Sequence, residues 1–274
     1  MLVAHLNGER VVASRFGEKG LDYRCPNPNC RRPEMVLKPG RFVKAHFAHK
    51  SASGCEWARG ETQEHMEAKQ DFAAALAARG YKSEVEFVVA TLPGDRRADV
   101  MLWNAEDRRI AIELQHTPIG LPEIERRAFS YAEANIAQIW IPFLRPGVLK
   151  SAVARDGGEA GDLFVAQFSP RPFELWAYGF AFNELWFYDS ERKKLWCGRL
   201  DDHVLYMPGR DYPVEGGDTE STRGYPYPSK RWRDLTLWGP YDMESLQLRT
   251  RRRDRWTSGP YNWPACNFVR FQPI

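Results

Sequence analysis

The chain has 274 residues, of which 43% are hydrophobic and 13% aromatic, enough to bury a core in one large domain or in two or three small ones. Its 39 lysines and arginines stand against 36 acidic residues, so the net charge of +3 is too small to identify a partner. No run of about 18 apolar residues is present, and the start, MLVAHLNGERVVAS, lacks the basic-then-apolar order of a secretory signal. These features argue against a membrane span and against export, and we expect a cytoplasmic protein.

The composition changes twice along the chain and predicts three regions. Residues 1–58 are turn-rich and hold three of the five cysteines, whereas residues 59–148 alternate helical and strand patterns. Residues 149–274 contain seven of the ten tryptophans, together with loops rich in Pro and Gly and a run of arginines.

The first region contains a dense set of thiols and imidazoles. The spacing of Cys25 and Cys30, with Pro and Asn between them, can form the tight knuckle that presents two thiolates to a tetrahedral zinc ion. Cys55, His46 and His49 compete for the two remaining places. We expect His49 and Cys55 to fill them, because His46 ends the strand-like run RFVKAHF and can instead pack or orient a ligand; His46 in place of either stays an alternative.

A zinc ion in this region would be structural. About 58 residues with few large apolar side chains bury little surface without a metal to hold them together. The competing interpretation is a set of buried thiols and core histidines with no metal.

The segment GETQEHMEAKQDFAAALAARG predicts a helix over residues 61–79 that ends at the following glycine. Glu61, His65 and Lys69 recur at intervals of four and therefore share one face, which Phe72 continues. Three polar side chains thus lie on a face that should look inward. They are either a solvated face with charge pairs one turn apart or one side of a buried polar site.

The next segments predict three strands of an antiparallel meander, over residues 84–90, 97–103 and 110–115. They are followed by a helical pattern in residues 121–135 and a buried strand in residues 137–143. A strand, helix and strand in this order usually form a right-handed crossover between parallel neighbours, so the core order is α-β-β-β-α-β.

Two carboxylates face each other in the predicted meander. If the second turn centres near Glu106, Asp99 lies opposite Glu113, and Gln115 points to the same face because side chains alternate along a strand. Like charges directly across strands destabilise a sheet unless a cation lies between them, and a divalent metal is the simplest such cation. The other interpretation is that both acids are exposed on a half-solvated sheet.

The α-β-β-β-α-β order, with an acid on the second strand and E-x-Q on the third, resembles the PD-(D/E)XK nuclease superfamily, with Gln where Lys is usual. The segments HFAH, ETQEHMEAK, RRADV, IAIELQHTPI and ERRAFSYAEANIAQIWI together resemble the competence protein CoiA-like family over about residues 20–145. The resemblance implies an α/β fold: a restriction-endonuclease-like core with a mixed sheet, a zinc-ribbon-like N-terminal module and a β-rich C-terminal region.

The resemblance also implies metal-dependent hydrolysis of nucleic-acid phosphodiester bonds, with DNA the expected substrate, in DNA uptake, recombination or defence against foreign DNA. Asp99 and Glu113 would hold Mg²⁺ or Mn²⁺, and Gln115 would orient the attacking water. A neutral amide supplies no positive charge, so a second metal or Lys69 would have to help neutralise the transition state.

Further roles follow from the same resemblance. Glu61 would be a third acidic ligand or would position a metal-bound water, with Glu64 as the alternative acid, and His65 would contact phosphate or complete the network. Arg127 and Tyr131 match Arg and Tyr positions of the family and would clamp the nucleic-acid backbone. Ordinary helix packing is the alternative for that pair.

The C-terminal region offers a predicted hairpin, ELWFYDSERKKLWCGRL, and the segment LRTRRRDRWTSGPYNWP, in which five arginines flank two tryptophans. Arginines interleaved with aromatic rings suit phosphate contact and base stacking, and the candidates are Arg251, Arg252, Arg253 and Trp256. A packed β module with a solvated basic edge is the competing interpretation. At the level of function, the alternative to a nuclease is a nucleic-acid-binding protein that keeps the fold and cleaves weakly or not at all.

Overall fold

Five short antiparallel strands form the N-terminal part of the protein. The computed structural model describes residues 1–40, 43–58, 61–92, 94–159, 161–213 and 218–274. The strands are β1 (Val3–Leu6), β2 (Glu9–Val12), β3 (Tyr23–Arg24), β4 (Glu34–Lys38) and β5 (His46–His49), in the sheet order β2-β1-β3-β4-β5. The strand-like run expected before His46 includes residues 41–42, which lie outside the described residues, and the observed strand begins at His46.

The central segment has the predicted order α-β-β-β-α-β. Its elements are α1 (Gln63–Ala78), β6 (Lys82–Val89), β7 (Arg96–Trp103), β8 (Arg109–Gln115), α2 (Leu121–Glu133) and β9 (Ala137–Pro142). The meander β6-β7-β8 is antiparallel and β9 runs parallel to β8, so the sheet is mixed, as expected. All residues of β9 are buried, as is typical of a parallel strand covered on both faces.

Local chemistry sets the ends of α1. The helix begins two residues later than predicted, because Thr62 has an extended backbone and its side chain accepts a hydrogen bond from the backbone N–H of His65 at 3.2 Å. It ends before Gly80, whose φ of 80° a residue with a side chain rarely adopts. Glu61 therefore precedes the helix rather than forming its first turn.

The remaining elements are two helices and nine strands of the described chain. They are α3 (Pro146–Ser151), β10 (Val153–Ala154), β11 (Leu163–Phe168), α4 (Pro172–Phe180), β12 (Leu185–Asp189), β13 (Lys194–Met207), β14 (Asp211–Pro213), β15 (Thr219–Ser221), β16 (Tyr225–Tyr241), β17 (Leu246–Arg253) and β18 (Cys266–Pro273). The predicted hairpin is present as β12 and β13, which pair from Leu185 with Gly198 to Asp189 with Lys194.

The C-terminal strands divide between sheets. Five of them form a second sheet in the order β10-β11-β16-β13-β12, and β14 pairs with β15. The last two strands extend the central sheet, whose order is β17-β18-β9-β8-β7-β6. Leu2 from the first region and Leu246 from the last pack in the same cluster as Phe72 of α1, so the three regions share contacts across the predicted boundaries.

The helices α1 and α2 cover opposite faces of the central sheet. Ile110 and Ile112 of β8 pack with α1, whereas Ala111 between them packs with Tyr131 of α2. Within the described ranges, no helix is both long and apolar enough to cross a membrane. The sheet thus places β7 and β8, with Asp99 and Glu113, between two helices that both carry ionisable side chains.

Candidate functional site

Four potential metal ligands converge at the N-terminal sheet. Cys25 follows β3, Cys30 lies in the next loop, His49 ends β5, and Cys55 lies shortly after it; their ligand atoms all fall within 4.8 Å of one another. The Sγ atoms of Cys25 and Cys55 are 3.9 Å apart, and the Cys30 Sγ is 3.4 Å from the His49 Nε2. Zinc–sulfur bonds of about 2.3 Å give a tetrahedron with edges of about 3.8 Å. The four residues therefore fit a tetrahedral zinc ion.

His46 lies apart from this cluster. It is three residues before His49 on β5, so the two side chains leave the strand on opposite faces. Its Nδ1 is 2.9 Å from the carbonyl oxygen of Lys44. Over the part of the chain that the structure describes, no other group of three or more cysteine, histidine or acidic side chains brings its ligand atoms as close together.

Asp99 on β7 is held by groups from α1 and by the backbone of β8. His65 Nε2 lies 3.2 Å from one carboxylate oxygen, and Lys69 Nζ lies 3.4 Å from the other. The backbone N–H of Leu114 donates to the first of these oxygens at 2.9 Å. Burial favours the protonated acid, but the charges of His65 and Lys69 outweigh it and hold the pKa of Asp99 well below its usual range.

Glu113 on β8 is held by groups from α2. Arg127 donates to one of its oxygens and Tyr131 donates to the other, and the side chain is 1% exposed. Burial raises the pKa of Glu113 to about 7, although Arg127 opposes the shift. Burial also raises the pKa of Tyr131 well above its ordinary value, so this hydroxyl stays a donor.

The two carboxylates are neighbours in register, yet they contact helices on opposite faces. Val100 pairs with Ile112 in the antiparallel ladder, so Asp99 and Glu113, one residue further along each strand, lie side by side. The turn between the two strands centres at Glu106, as predicted. The alternation of β7 breaks at Asp99, because Ala98 and Met101 both pack on the α2 side. Asp99 consequently contacts α1 while Glu113 contacts α2.

Glu86 of β6 is the residue opposite this break, and the sequence patterns did not single it out. It lies between the register pairs Val85–Val100 and Phe87–Ala98, and its φ is 51°. Its side chain is fully buried, with one oxygen 3.0 Å from Lys69 Nζ. In the sequence, KSEVEFVV alternates polar and apolar residues, and this pattern indicates a solvent-facing Glu86. The pairing of β6 with β7 around the turn that joins them, had it been predicted, would have placed Glu86 opposite Asp99.

Lys69 is the central cation of the buried network. It contacts Glu61, Glu86 and Asp99, and its side chain is 0% exposed. Burial alone would lower the pKa of Lys69, but the three carboxylates raise it above its ordinary value. For Glu61, burial works against ionisation, and Lys69 with the amino group of Met1 still lowers its pKa. These groups form buried ion pairs that hold one another in place.

The two candidate helix acids have different surroundings. Glu61 lies in the network through Lys69, whereas the Glu64 side chain is 60% exposed and pairs with His116 Nε2 at 2.7 Å. The amide of Gln115 turns toward the loop after β8, where it donates to the carbonyl oxygen of Thr117. Among the described contacts, Gln115 does not reach Asp99 or Glu113.

The acid pair fits a divalent cation in ligand type, since carboxylate oxygens are the preferred ligands of Mg²⁺ and Mn²⁺. In this arrangement all four oxygens of Asp99 and Glu113 already accept contacts from protein donors. A cation can therefore bind both acids only if some of those donors give up their contacts. Among the three basic side chains that contact these acids, Arg127 has the most exposed side chain, at 22%.

The C-terminal candidates have different surroundings. Arg251 and Arg252 are exposed on β17, and the Trp256 side chain is also largely exposed, at 49%. Arg253 is buried: its guanidinium donates to the carbonyl oxygens of Gly179, at 3.0 Å, and of Phe180 at the end of α4. Those two bonds direct Arg253 into the protein rather than toward a ligand.

One comparison identifies the family. The family model described as "Competence protein CoiA, nuclease-like domain" matches residues 61–197, which is half of the chain. The chain belongs to the CoiA family. The match begins at Glu61 and includes Asp99, Glu113 and Gln115, and it runs about 50 residues past the segment where the sequence motifs suggested a resemblance. It does not include the Cys/His cluster.

Other comparisons add little to the CoiA assignment. No curated protein matches the chain. One solved structure, described as a protein of unknown function, AF1548, shares 15% identity over 29% of this chain and 47% of that chain, with a TM-score of 0.24. The chain thus spans about half the length of that protein.

Proposed function

We propose that this CoiA-family protein is a divalent-metal-dependent nuclease that hydrolyses phosphodiester bonds of DNA. The observation that carries the proposal is the placement of Asp99 and Glu113. They are neighbours in register on β7 and β8, buried within one network of cations and donors, and they lie inside the segment that matches the nuclease-like domain. Buried acids with strongly shifted pKa values are typical of catalytic sites. The α-β-β-β-α-β order supports a PD-(D/E)XK core.

In this proposal Asp99 and Glu113 hold Mg²⁺ or Mn²⁺, which when bound polarises the scissile phosphate and acidifies water. Leu114 N–H and His65 fix the Asp99 carboxylate, and Tyr131 fixes that of Glu113. Arg127 releases Glu113 and contacts phosphate instead, a change suited to a guanidinium with five donors.

The cysteine and histidine cluster holds a structural zinc ion in the same proposal. All four places of the tetrahedron are filled by protein ligands, and a closed site of this kind leaves no position for substrate. The zinc contributes to folding of the N-terminal sheet.

The test is cleavage of labelled single-stranded, duplex and branched DNA and RNA by the purified protein, with and without Mg²⁺ or Mn²⁺. We expect divalent-dependent cleavage of DNA that Asp99→Asn and Glu113→Gln each remove. The matched control is Glu106→Gln, which changes an exposed acid in the turn between the same two strands and should leave the rate unchanged. Wild-type rates in either site variant would place the chemistry elsewhere.

A second candidate function is nucleic-acid binding without efficient cleavage. It is favoured by the engagement of all four oxygens of Asp99 and Glu113 with protein donors, which leaves no open metal site in this arrangement. Tight binding by the wild-type protein, with no cleavage in either metal, would support this function over the first. Within the nuclease proposal, Asp99→Ala should instead abolish cleavage and leave binding intact.

The family description supports a role in competence, that is, in DNA uptake and the recombination that follows it. Defence against foreign DNA uses the same chemistry and differs in the DNA that is attacked. Equal activity on DNA and on RNA of the same sequence would count against both roles.

A further inference from the structure

A groove of about 500 Å³ separates the cysteine cluster from the nuclease-like sheet. One wall is the loop that carries Cys30 and Arg31, together with Trp57. The opposite wall is formed by Arg96 at the start of β7 and Arg126 on α2. We call this feature the cluster groove. It lies where the proposed zinc module meets the proposed catalytic domain.

The cluster groove presents more cationic than anionic side chains. Three arginines line it against two acids, Glu56 and Asp95. Arg31 is exposed and, in the described part of the chain, has no hydrogen-bond or ion-pair partner. Since a guanidinium has five donors, Arg31 can offer a complete fork to a phosphate.

The other two arginines keep donors available as well. Arg96 donates from Nε to the Ser130 hydroxyl at 3.2 Å and lies 3.9 Å from Glu123, a distance too long for a hydrogen bond. Arg126 pairs with the same Glu123, and its side chain is 54% exposed. Glu123 therefore pairs with both of these arginines, and Arg31 is the lining arginine without an acidic partner among the described residues.

Two elements that line the cluster groove, β7 and α2, also carry proposed catalytic residues. Arg96 stands three residues before Asp99 on β7. Arg126 immediately precedes Arg127, the partner of Glu113, on α2. A strand in the groove would therefore contact the same strand and helix that hold Asp99 and the partner of Glu113, although neither carboxylate lines the groove.

We propose that the cluster groove holds the sugar-phosphate backbone of a nucleic-acid strand entering the site, with Arg31 and Arg126 as phosphate contacts on its two walls. The cysteine cluster then has a role beyond folding, because it fixes the loop that presents Arg31. The choice of nucleic acid as the occupant rests on the proposed function and on two exposed guanidiniums on opposite walls, of which Arg31 has no acidic partner among the described residues. An acidic peptide is the competing occupant.

The experiment measures binding of the zinc-loaded full-length protein to labelled single-stranded and duplex DNA by fluorescence anisotropy, without added Mg²⁺ or Mn²⁺, across a salt series. The variants are Arg31→Gln, Arg126→Gln and their combination. The matched control is Arg108→Gln, which removes an equally exposed arginine beyond the far end of β7. An unlabelled poly-glutamate serves as the competitor that represents an acidic peptide.

The double variant should bind at least about tenfold more weakly, and similarly so for unrelated DNA sequences, because phosphate contacts carry no sequence information. Losing two phosphate contacts should reduce the slope of log affinity against log salt by about 1.8 on duplex and about 1.4 on single strands. Arg108→Gln should stay within about twofold of the wild type. Wild-type affinity and slope in the double variant would overturn the proposal, as would displacement of DNA by poly-glutamate at matched charge.

The outcome separates this inference from the proposed function. Normal binding by the double variant together with metal-dependent cleavage by the wild type rejects the cluster groove and keeps the nuclease. Weakened binding by the double variant, with no cleavage by the wild type in either metal, keeps the cluster groove and rejects the nuclease.

Discussion

The contact between Arg127 and Glu113 gives the sharpest test of the buried network. Arg127→Met removes the guanidinium but keeps an apolar side chain of similar length against the Trp140 ring, which the guanidinium now covers at 5.5 Å. Glu113, with a side chain 1% exposed, would then keep only the Tyr131 hydroxyl as a partner. Removing one partner of a buried ion pair typically lowers the free energy of unfolding by about 3 to 5 kcal/mol.

The loss should depend on pH. The pKa of Glu113 is already raised from 4.5 to about 7 by burial, and without Arg127 it rises further. A carboxyl whose pKa is higher in the folded state contributes stability below its unfolded pKa, and that stability is lost as the pH rises through the folded pKa. At pH 5.5 Glu113 is protonated in the wild type and in the variant, so the loss is smaller. As the pH rises above 7, the carboxylate ionises beside Arg127 in the wild type but not in the variant, so the loss at pH 8 should exceed the loss at pH 5.5.

The assay is urea unfolding followed by tryptophan fluorescence at pH 5.5 and pH 8, with zinc present. Arg126→Met is the matched control, because it changes the neighbouring, 54% exposed arginine and should alter stability by less than about 1 kcal/mol. In the double variant with Glu113→Gln no unpaired charge remains, so its loss should be smaller than the sum of the single losses by up to about 3 kcal/mol. Additive losses, or an equal loss at both pH values, would refute the buried ion pair.

Three further predictions concern other parts of the molecule. Zinc should copurify at about one ion per chain and be lost in Cys25→Ser but not in Cys197→Ser, as measured by metal analysis; a metal-free wild type would contradict this. Lys69→Met should reduce cleavage by about 10²- to 10³-fold because Asp99 loses the ion pair that holds it, whereas Gln115→Lys should stay within about tenfold of the wild type in the same assay; the reverse order would contradict the role of Lys69 in fixing Asp99. Arg253→Met should lower the free energy of unfolding by about 1 to 3 kcal/mol and leave DNA affinity unchanged, since Arg253 donates to carbonyl oxygens at the end of α4; weaker DNA binding without destabilisation would show that it contacts the ligand.

The sequence predicted the element order of the central segment because each element has a strong period. The repeat along α1, the alternation in β7 and β8 and the turn at Glu106 are local signals, and together they also fix which residues of β7 and β8 are neighbours. The choice of Cys25, Cys30, His49 and Cys55 rested on ligand chemistry and spacing, and the structure brings those four side chains together.

Other features depended on contacts between distant segments. Nothing local in β17 or β18 shows that they extend the central sheet, because β18 pairs with β9 across more than a hundred residues. Arg253 belongs to a run of arginines that looks uniform in the sequence, and only the position of α4 makes it buried. The alternation of β7 predicted Asp99 and Glu113 on one face, but the break opposite Glu86 turned Asp99 toward α1.

Two cations of the site can replace the positive charge that is missing because Gln115 stands where Lys is usual. A Lys in its place would bring one positive charge on β8, whereas this chain brings two from the flanking helices, Lys69 beside Asp99 and Arg127 beside Glu113. Lys69 also contacts Glu61 and Glu86 and is fully buried, so its charge is already balanced and it has no path to a bound strand. Arg127 pairs with one acid, keeps part of its side chain exposed and adjoins Arg126 of the cluster groove. We therefore infer that Lys69 fixes the position of Asp99 through their ion pair, while Arg127 is the cation that can pass from Glu113 to a phosphate.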